Sequence, residues 1–109
     1  MKMELGMTGK VVLVAGATSG IGKATAILFA RSGASVVLAG RREKLLREIT
    51  GELTGEGLKA AWTVCDVTDE EQVKAMIDFT VRTFGRLDCA YNNAGIMSDD
   101  VETAELDSA

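Results

Sequence analysis

The stretch VVLVAGATSGIG, residues 11–22, runs from an unbroken apolar segment into a turn that holds Gly16, Gly20 and Gly22. A short β-branched run bounded by glycine reads as a strand buried on both faces. Residues 21–32 then carry a helical pattern with Ile21, Ala24 and Leu28 expected on the inward side, and Gly33 stands where a left-handed C-terminal cap is wanted. A strand that feeds a glycine turn and a helix points the helix's first N–H groups, and the positive end of its dipole, at the turn. Anions bind at such a place. Gly16 permits the tight turn, while Gly20 and Gly22 let the backbone approach a pyrophosphate and let the helix pack on the sheet. The spacing is not the common G-x-G-x-x-G form, and taken alone the turn also fits a purely structural role.

Outward from this stretch the same alternation continues. SVVLAG (35–40), AAWTVCD (60–66) and LDCAYN (87–92) are short apolar strand patterns, expected like the first to be buried on both faces. Leu45, Leu46, Ile49 and Leu53 mark a second helix closed by TGEG (54–57), and Val73, Met76, Ile77, Thr80 and Phe84 mark a third over 69–84. Thr68 with Glu71 three residues later predicts a capping box at the start of the third helix, and Gly85 predicts its end. Four strands joined by three helices, with right-handed crossovers, give an α/β, Rossmann-like, doubly wound parallel sheet with helices on both faces. The strand order expected of a Rossmann-like sheet is 3-2-1-4. No repeat, linker or proline interrupts the chain, so residues 1–109 read as a single domain.

Composition narrows the classes of function. The net charge of −4 and the absence of a Lys/Arg-rich block argue against nucleic-acid and membrane-surface roles. Asp99, Asp100, Glu102, Glu105 and Asp107 give residues 96–109 a charge of −5, leaving +1 on the first 95, so the acidity belongs to a terminal loop or tail. No apolar run approaches the roughly 18 residues of a membrane span, and the start of the chain lacks a signal-peptide core; a cytoplasmic location is the expectation. Cys65 and Cys89, each in a predicted strand and without a histidine anywhere in the chain, read as reduced core residues and not as metal ligands.

The end of the second strand bears on which anion the turn receives. A site selective for NAD places Asp or Glu there, about 20 residues beyond the glycines, to bond the ribose 2′-hydroxyl. This chain has LAGRRE, with Gly40 in the acidic position followed by Arg41 and Arg42. A guanidinium suits the 2′-phosphate of NADP through charge-assisted bonds, so NADP is expected over NAD. The alternative is that both arginines are solvated residues at a helix start.

Together GKVVLVAGATSGIGKATA, VVLAGRR, CDVTDE and FGRLDCAYNNAGI resemble, in order and spacing, the short-chain dehydrogenase/reductase family from about Gly9 to Ile96. The glycine pattern matches the family's T-G-x-x-x-G-x-G variant, and NNAG, residues 92–95, its second signature. The resemblance implies that Ser19 and the backbone at Thr18 and Ile21 hold the phosphates, and that Arg41, with Arg42, holds the 2′-phosphate. It further implies that Asp66 and the backbone of Val67 meet the adenine, and that Asn93, Ala94 and Gly95 line the floor toward the nicotinamide. Asp66 read without the family is an ordinary turn and helix-entry carboxylate. Ala15 departs from the pattern: the family usually has Thr there, whose hydroxyl ties the glycine turn to NNAG, and that brace is missing.

The resemblance also implies hydride transfer between NADP(H) and a carbonyl or alcohol substrate, in a full-length protein that is a homo-oligomer. The family's chemistry uses a Tyr acid/base, a Lys four residues later and a Ser that orients the substrate. The one tyrosine, Tyr91, has Gly95 four residues on, so no catalytic residue is assigned. The expectation is the cofactor-binding half of a longer, here truncated, reductase; the alternative is a non-catalytic nucleotide-binding or interaction module.

Overall fold

A computed structural model describes residues 7–93. Its elements alternate as expected: β1 (Val11–Ala15), α1 (Gly20–Arg31), β2 (Ser35–Gly40), α2 (Glu43–Gly55), β3 (Ala60–Val64), α3 (Glu70–Phe84) and β4 (Cys89–Asn92). All pairings are parallel and the strand order is β3-β2-β1-β4. Leu13 of β1 faces Val37 on one side and Ala90 on the other. The two central strands are the ones whose apolar runs are continuous, because helices cover both of their faces.

Alternate side chains of one strand therefore enter different cores. Val12 and Val14, with Val36 and Leu38, pack against Ala26 and Ala30 of α1 and against Leu46, Ile49 and Leu53 of α2. Leu13, Ala15, Val37 and Ala39 pack with Cys65 and Met76 on the opposite face, where Val73, Ile77 and Phe84 of α3 close the layer. The sheet is thus covered by α1 and α2 on one side and by α3 on the other.

Three expectations are corrected. β3 ends two residues before its predicted end and β4 begins two residues after its predicted start, and their residues are half-buried or exposed because they are the outer strands among the described residues. The inward face of α1 is not Ile21, Ala24 and Leu28: Ile21 is 67% and Leu28 42% exposed, Ala24 is exposed, and the buried positions are Gly22, Ala26 and Ala30. Small residues face the sheet because the helix lies close to it. The third correction is at α3, whose N-cap is Asp69 and not Thr68. The Asp69 Oδ1 accepts from the Glu71 N–H at 3.0 Å and the Gln72 N–H at 3.4 Å. The Thr68 hydroxyl instead donates to Asp66 Oδ1 at 2.6 Å, which removes it from the helix start.

Asp69→Ala is therefore expected to lower stability by about 1 kcal/mol, read as a fall in urea midpoint at unchanged slope. A larger loss on Thr68→Ala would put the cap back at Thr68. The C-terminal ends behave as read: Gly33 and Gly85 have φ of 103° and 86°, and the Gly85 N–H donates to the Val81 carbonyl at 2.7 Å. At the other edge of the sheet the Val11 N–H donates to Asp88 Oδ2 at 2.8 Å. Hydrogen bonds from the Arg86 guanidinium and from Val11 hold the Asp88 carboxyl below the usual carboxylate range.

Candidate functional site

Beyond their last residues the strands stay stapled together. The N–H groups of Gly16 and Ala17 donate to the Ala39 carbonyl at 2.9 and 3.0 Å, that of Cys65 to the Gly40 carbonyl at 2.7 Å, and that of Asn93 to the Ala15 carbonyl at 2.9 Å. This holds four segments, far apart in sequence, at one end of the sheet. Between them lies a cleft of about 400 Å³. The glycine turn lines it with Gly16, Thr18 and Ser19, the end of β2 with Gly40, Arg41 and Arg42, and the segment after β3 with Cys65, Asp66 and Val67. Asn93 closes the remaining side.

The glycines differ in what they permit. Gly16 has φ of 75°, in the left-handed region. A Cβ on Gly22 would lie 2.0 Å from the Gly16 carbonyl oxygen, so α1 can approach the turn only because residue 22 has no side chain. A Cβ on Gly20 would meet nothing within 4 Å. Gly20, Ile21 and Gly22 form the first turn of α1 behind the cleft and do not line it. Ala94 and Gly95 lie outside the described residues, as does the acidic segment 96–109.

The N-terminus of α1 is chemically unlike that of α3. Ser19 is its N-cap in extended conformation, yet its side chain makes no bond to the N–H groups of the first turn, and that turn contains no acidic residue. Among the described residues no side chain caps the start of this helix, whereas the Asp69 carboxylate occupies that of α3. The Ser19 hydroxyl donates instead to the Gly16 carbonyl at 3.0 Å and accepts from the Asn93 side-chain amide.

Charge across the cleft is of both signs. Arg41 and Arg42 are exposed, Arg42 being the N-cap of α2 without a side-chain cap bond. The Asp66 Oδ1 accepts from the N–H of Thr68 at 3.0 Å as well as from its hydroxyl. These bonds, with a smaller contribution from the Arg41 charge, hold the Asp66 carboxyl below its ordinary range. Gln72 Oε1 accepts from the Asp66 N–H at 2.8 Å and fixes the bend. Cys65, expected as a core residue, is buried and also reaches the cleft wall; burial first, then Asp66 and Asp69, push its thiol upward. Sequence reasoning placed Gly40 at the site as the vacant acidic position but did not name Cys65 as a lining residue, although it stands near a predicted strand end, the place where such sheets bind ligands.

A parallel sheet ordered β3-β2-β1-β4, with helices on both faces and a cleft at its C-terminal edge, is a Rossmann-like architecture. The chain belongs to the short-chain dehydrogenase family, whose model matches residues 10–109. It is 48% identical over 86 residues to an A-factor type gamma-butyrolactone 1'-reductase of Streptomyces virginiae, covering 79% of this chain and 34% of that protein. It is 42% identical over 93 residues to a 3-oxoacyl-[acyl-carrier-protein] reductase of Thermotoga maritima, covering 85% and 38%. Among solved structures, a short chain dehydrogenase from Mycobacterium smegmatis superposes with a TM-score of 0.78 at 40% identity, covering 92% of this chain and 45% of that one. The chain thus spans little more than a third of the length of these two curated relatives. Members of this oxidoreductase family bind a nicotinamide dinucleotide and a small-molecule substrate. No helix of the described residues is long and apolar enough to cross a membrane.

Proposed function

We propose that this chain is the cofactor-binding part of an NADP-dependent oxidoreductase that moves a hydride between the nicotinamide and a carbonyl or alcohol substrate. The reading rests on the convergence in one cleft of the glycine turn and of Gly40, Arg41 and Arg42, beside a helix N-terminus that no side chain of the described residues caps. The pyrophosphate would lie at the first turn of α1, the 2′-phosphate at Arg41 and Arg42, and the adenine toward Asp66 and Val67. Asn93 would form the floor, continued by Ala94 and Gly95. Bound there, the cofactor supplies the hydride; the residues of this chain hold and orient it. The names of the two reductase relatives support a carbonyl substrate. We place the full-length protein in the cytoplasm as a homo-oligomer, with residues 96–109 as its acidic loop.

Gly40 is the chemically telling position. A Cβ there would lie 3.7 Å from Leu46 Cδ2 and from Thr18 Cγ2 and Oγ1, an ordinary contact, so the fold does not demand glycine. What glycine omits is a carboxylate beside the 2′-position. NADPH is accordingly expected to bind more tightly than NADH by about 1.5 to 3 kcal/mol, roughly 10- to 150-fold. Arg41→Ala should remove most of that difference, and Gly40→Asp should reverse it by repelling the phosphate and bonding a free 2′-hydroxyl. Fluorescence titration of each variant with both cofactors measures this. Equal affinities in the unaltered chain, or a preference that survives Arg41→Ala, would overturn the assignment.

A further inference from the structure

We infer that Ser19 and Asn93 form a latch that positions the glycine turn, Asn93 being a positioning residue and the Ser19 hydroxyl a brace instead of a phosphate ligand. The inference rests on the cofactor reading above and revises the role expected for Ser19. A serine hydroxyl has one proton to give. Here the Gly16 carbonyl takes it at 3.0 Å, and a lone pair of the Ser19 oxygen accepts from Asn93 Nδ2. Asn93 Nδ2 also stands 3.5 Å from the Gly16 oxygen. The Gly16 oxygen can only accept and the Ser19 proton is engaged on it, so the amide is assigned with its nitrogen toward the turn.

The latch joins residues 74 positions apart. Its second anchor is the Asn93 N–H on the Ala15 carbonyl at 2.9 Å. Ala15 cannot supply the hydroxyl tie that the family resemblance led one to expect, and the Asn93 amide makes the connection by another route. A Cβ on Gly22 would come within 3.1 Å of Asn93 Nδ2, so the amide also fills the space beside α1. With Ser19 occupied, a bound phosphate takes its hydrogen bonds from the first N–H groups of α1, and the latch acts only by holding those groups in place.

The test is a double-mutant cycle in the 109-residue chain with Ser19→Ala, Asn93→Ala and the pair, titrated calorimetrically with NADP⁺ and with NAD⁺. Each single change is expected to weaken both cofactors by the same factor, about three- to tenfold. The pair should lose no more than the worse single variant. Ser19→Thr, which keeps the hydroxyl, should recover what Ser19→Ala loses. In the ligand-free protein, the Asn93 side-chain amide resonances should shift on Ser19→Ala and return on Ser19→Thr. Losses that multiply in the pair, or Asn93 resonances unmoved by Ser19→Ala, would overturn the latch and return Ser19 to the phosphate. If the unaltered chain binds neither dinucleotide, the cofactor reading fails, and the ligand-free resonances alone decide the latch.

Discussion

Gly22→Ala is expected to remove dinucleotide binding and to destabilise the fold together. The added methyl would stand 2.0 Å from the Gly16 oxygen and 2.9 Å from the Gly16 carbonyl carbon. Both are backbone atoms, so no side chain can swing aside. Either α1 moves off the sheet, opening the contacts of Ala26 and Ala30, or the turn shifts and disperses the donors aimed at the cleft. Overpacking of a well-filled site costs about 1 to 3 kcal/mol, and a backbone collision lies at the upper end or beyond. A domain of this kind holds on the order of 5 to 15 kcal/mol in all. We expect a stability loss of about 3 kcal/mol or more by urea unfolding, and an NADPH affinity reduced at least about 100-fold. Gly20→Ala is the control, since its Cβ would meet nothing within 4 Å and alanine favours a helix. Its urea midpoint should stay level or rise. A Gly22→Ala variant with unchanged midpoint and affinity would show that the close approach of α1 to the turn is not required.

The second large effect is an absence of turnover by the 109-residue chain itself. Tyr91 is its one tyrosine, and it lies in β4, paired in register with Val14 and packed against the core beneath α1 and α2. No lysine stands four residues beyond it, and the chain has no histidine. Cys65 touches the cleft, but burial and two neighbouring carboxylates favour its neutral thiol, the less nucleophilic form. General acid/base catalysis is worth about 10²- to 10⁴-fold, and the positioning of substrate against nicotinamide multiplies whatever it contributes. Chain shown to be folded and free of host reductases should give no loss of reduced-nicotinamide absorbance with a panel of ketones, aldehydes and quinones. Oxidation that rises with the amount of chain and disappears in Gly22→Ala would mean that acid/base groups are present which the sequence does not reveal.

Where sequence reasoning missed, two physical causes recur. Periodicity gives weight to large apolar residues, so Ile21 and Leu28 looked like the buried side of α1. Contact with the sheet at this distance admits only Gly22, Ala26 and Ala30 there. At α3, Thr68 and Asp69 are both good caps, and residue type alone does not choose between them. The choice falls to Asp69 because Asp66, three residues before it, takes the Thr68 hydroxyl.

The amino-acid sequence by itself determined the βαβαβαβ alternation, the bounds of β1 and β2 and the site of the glycine turn. Each follows from interactions within a few residues or from apolar runs that only a doubly covered strand can bury. The tertiary structure alone decided what meets across the cleft. Arg41 comes to face Asp66 because β3 pairs beside β2, and Asn93 reaches Ser19 because β4 pairs beside β1. The order 3-2-1-4 was expected and is observed, but which side chains meet across it depends on the paths of the loops and the rotamers at the strand ends, which no local pattern encodes. The brace role we infer for Ser19 turns on the same fact, since its hydroxyl has one proton and the fold brings the Gly16 carbonyl and the Asn93 amide to either side of it.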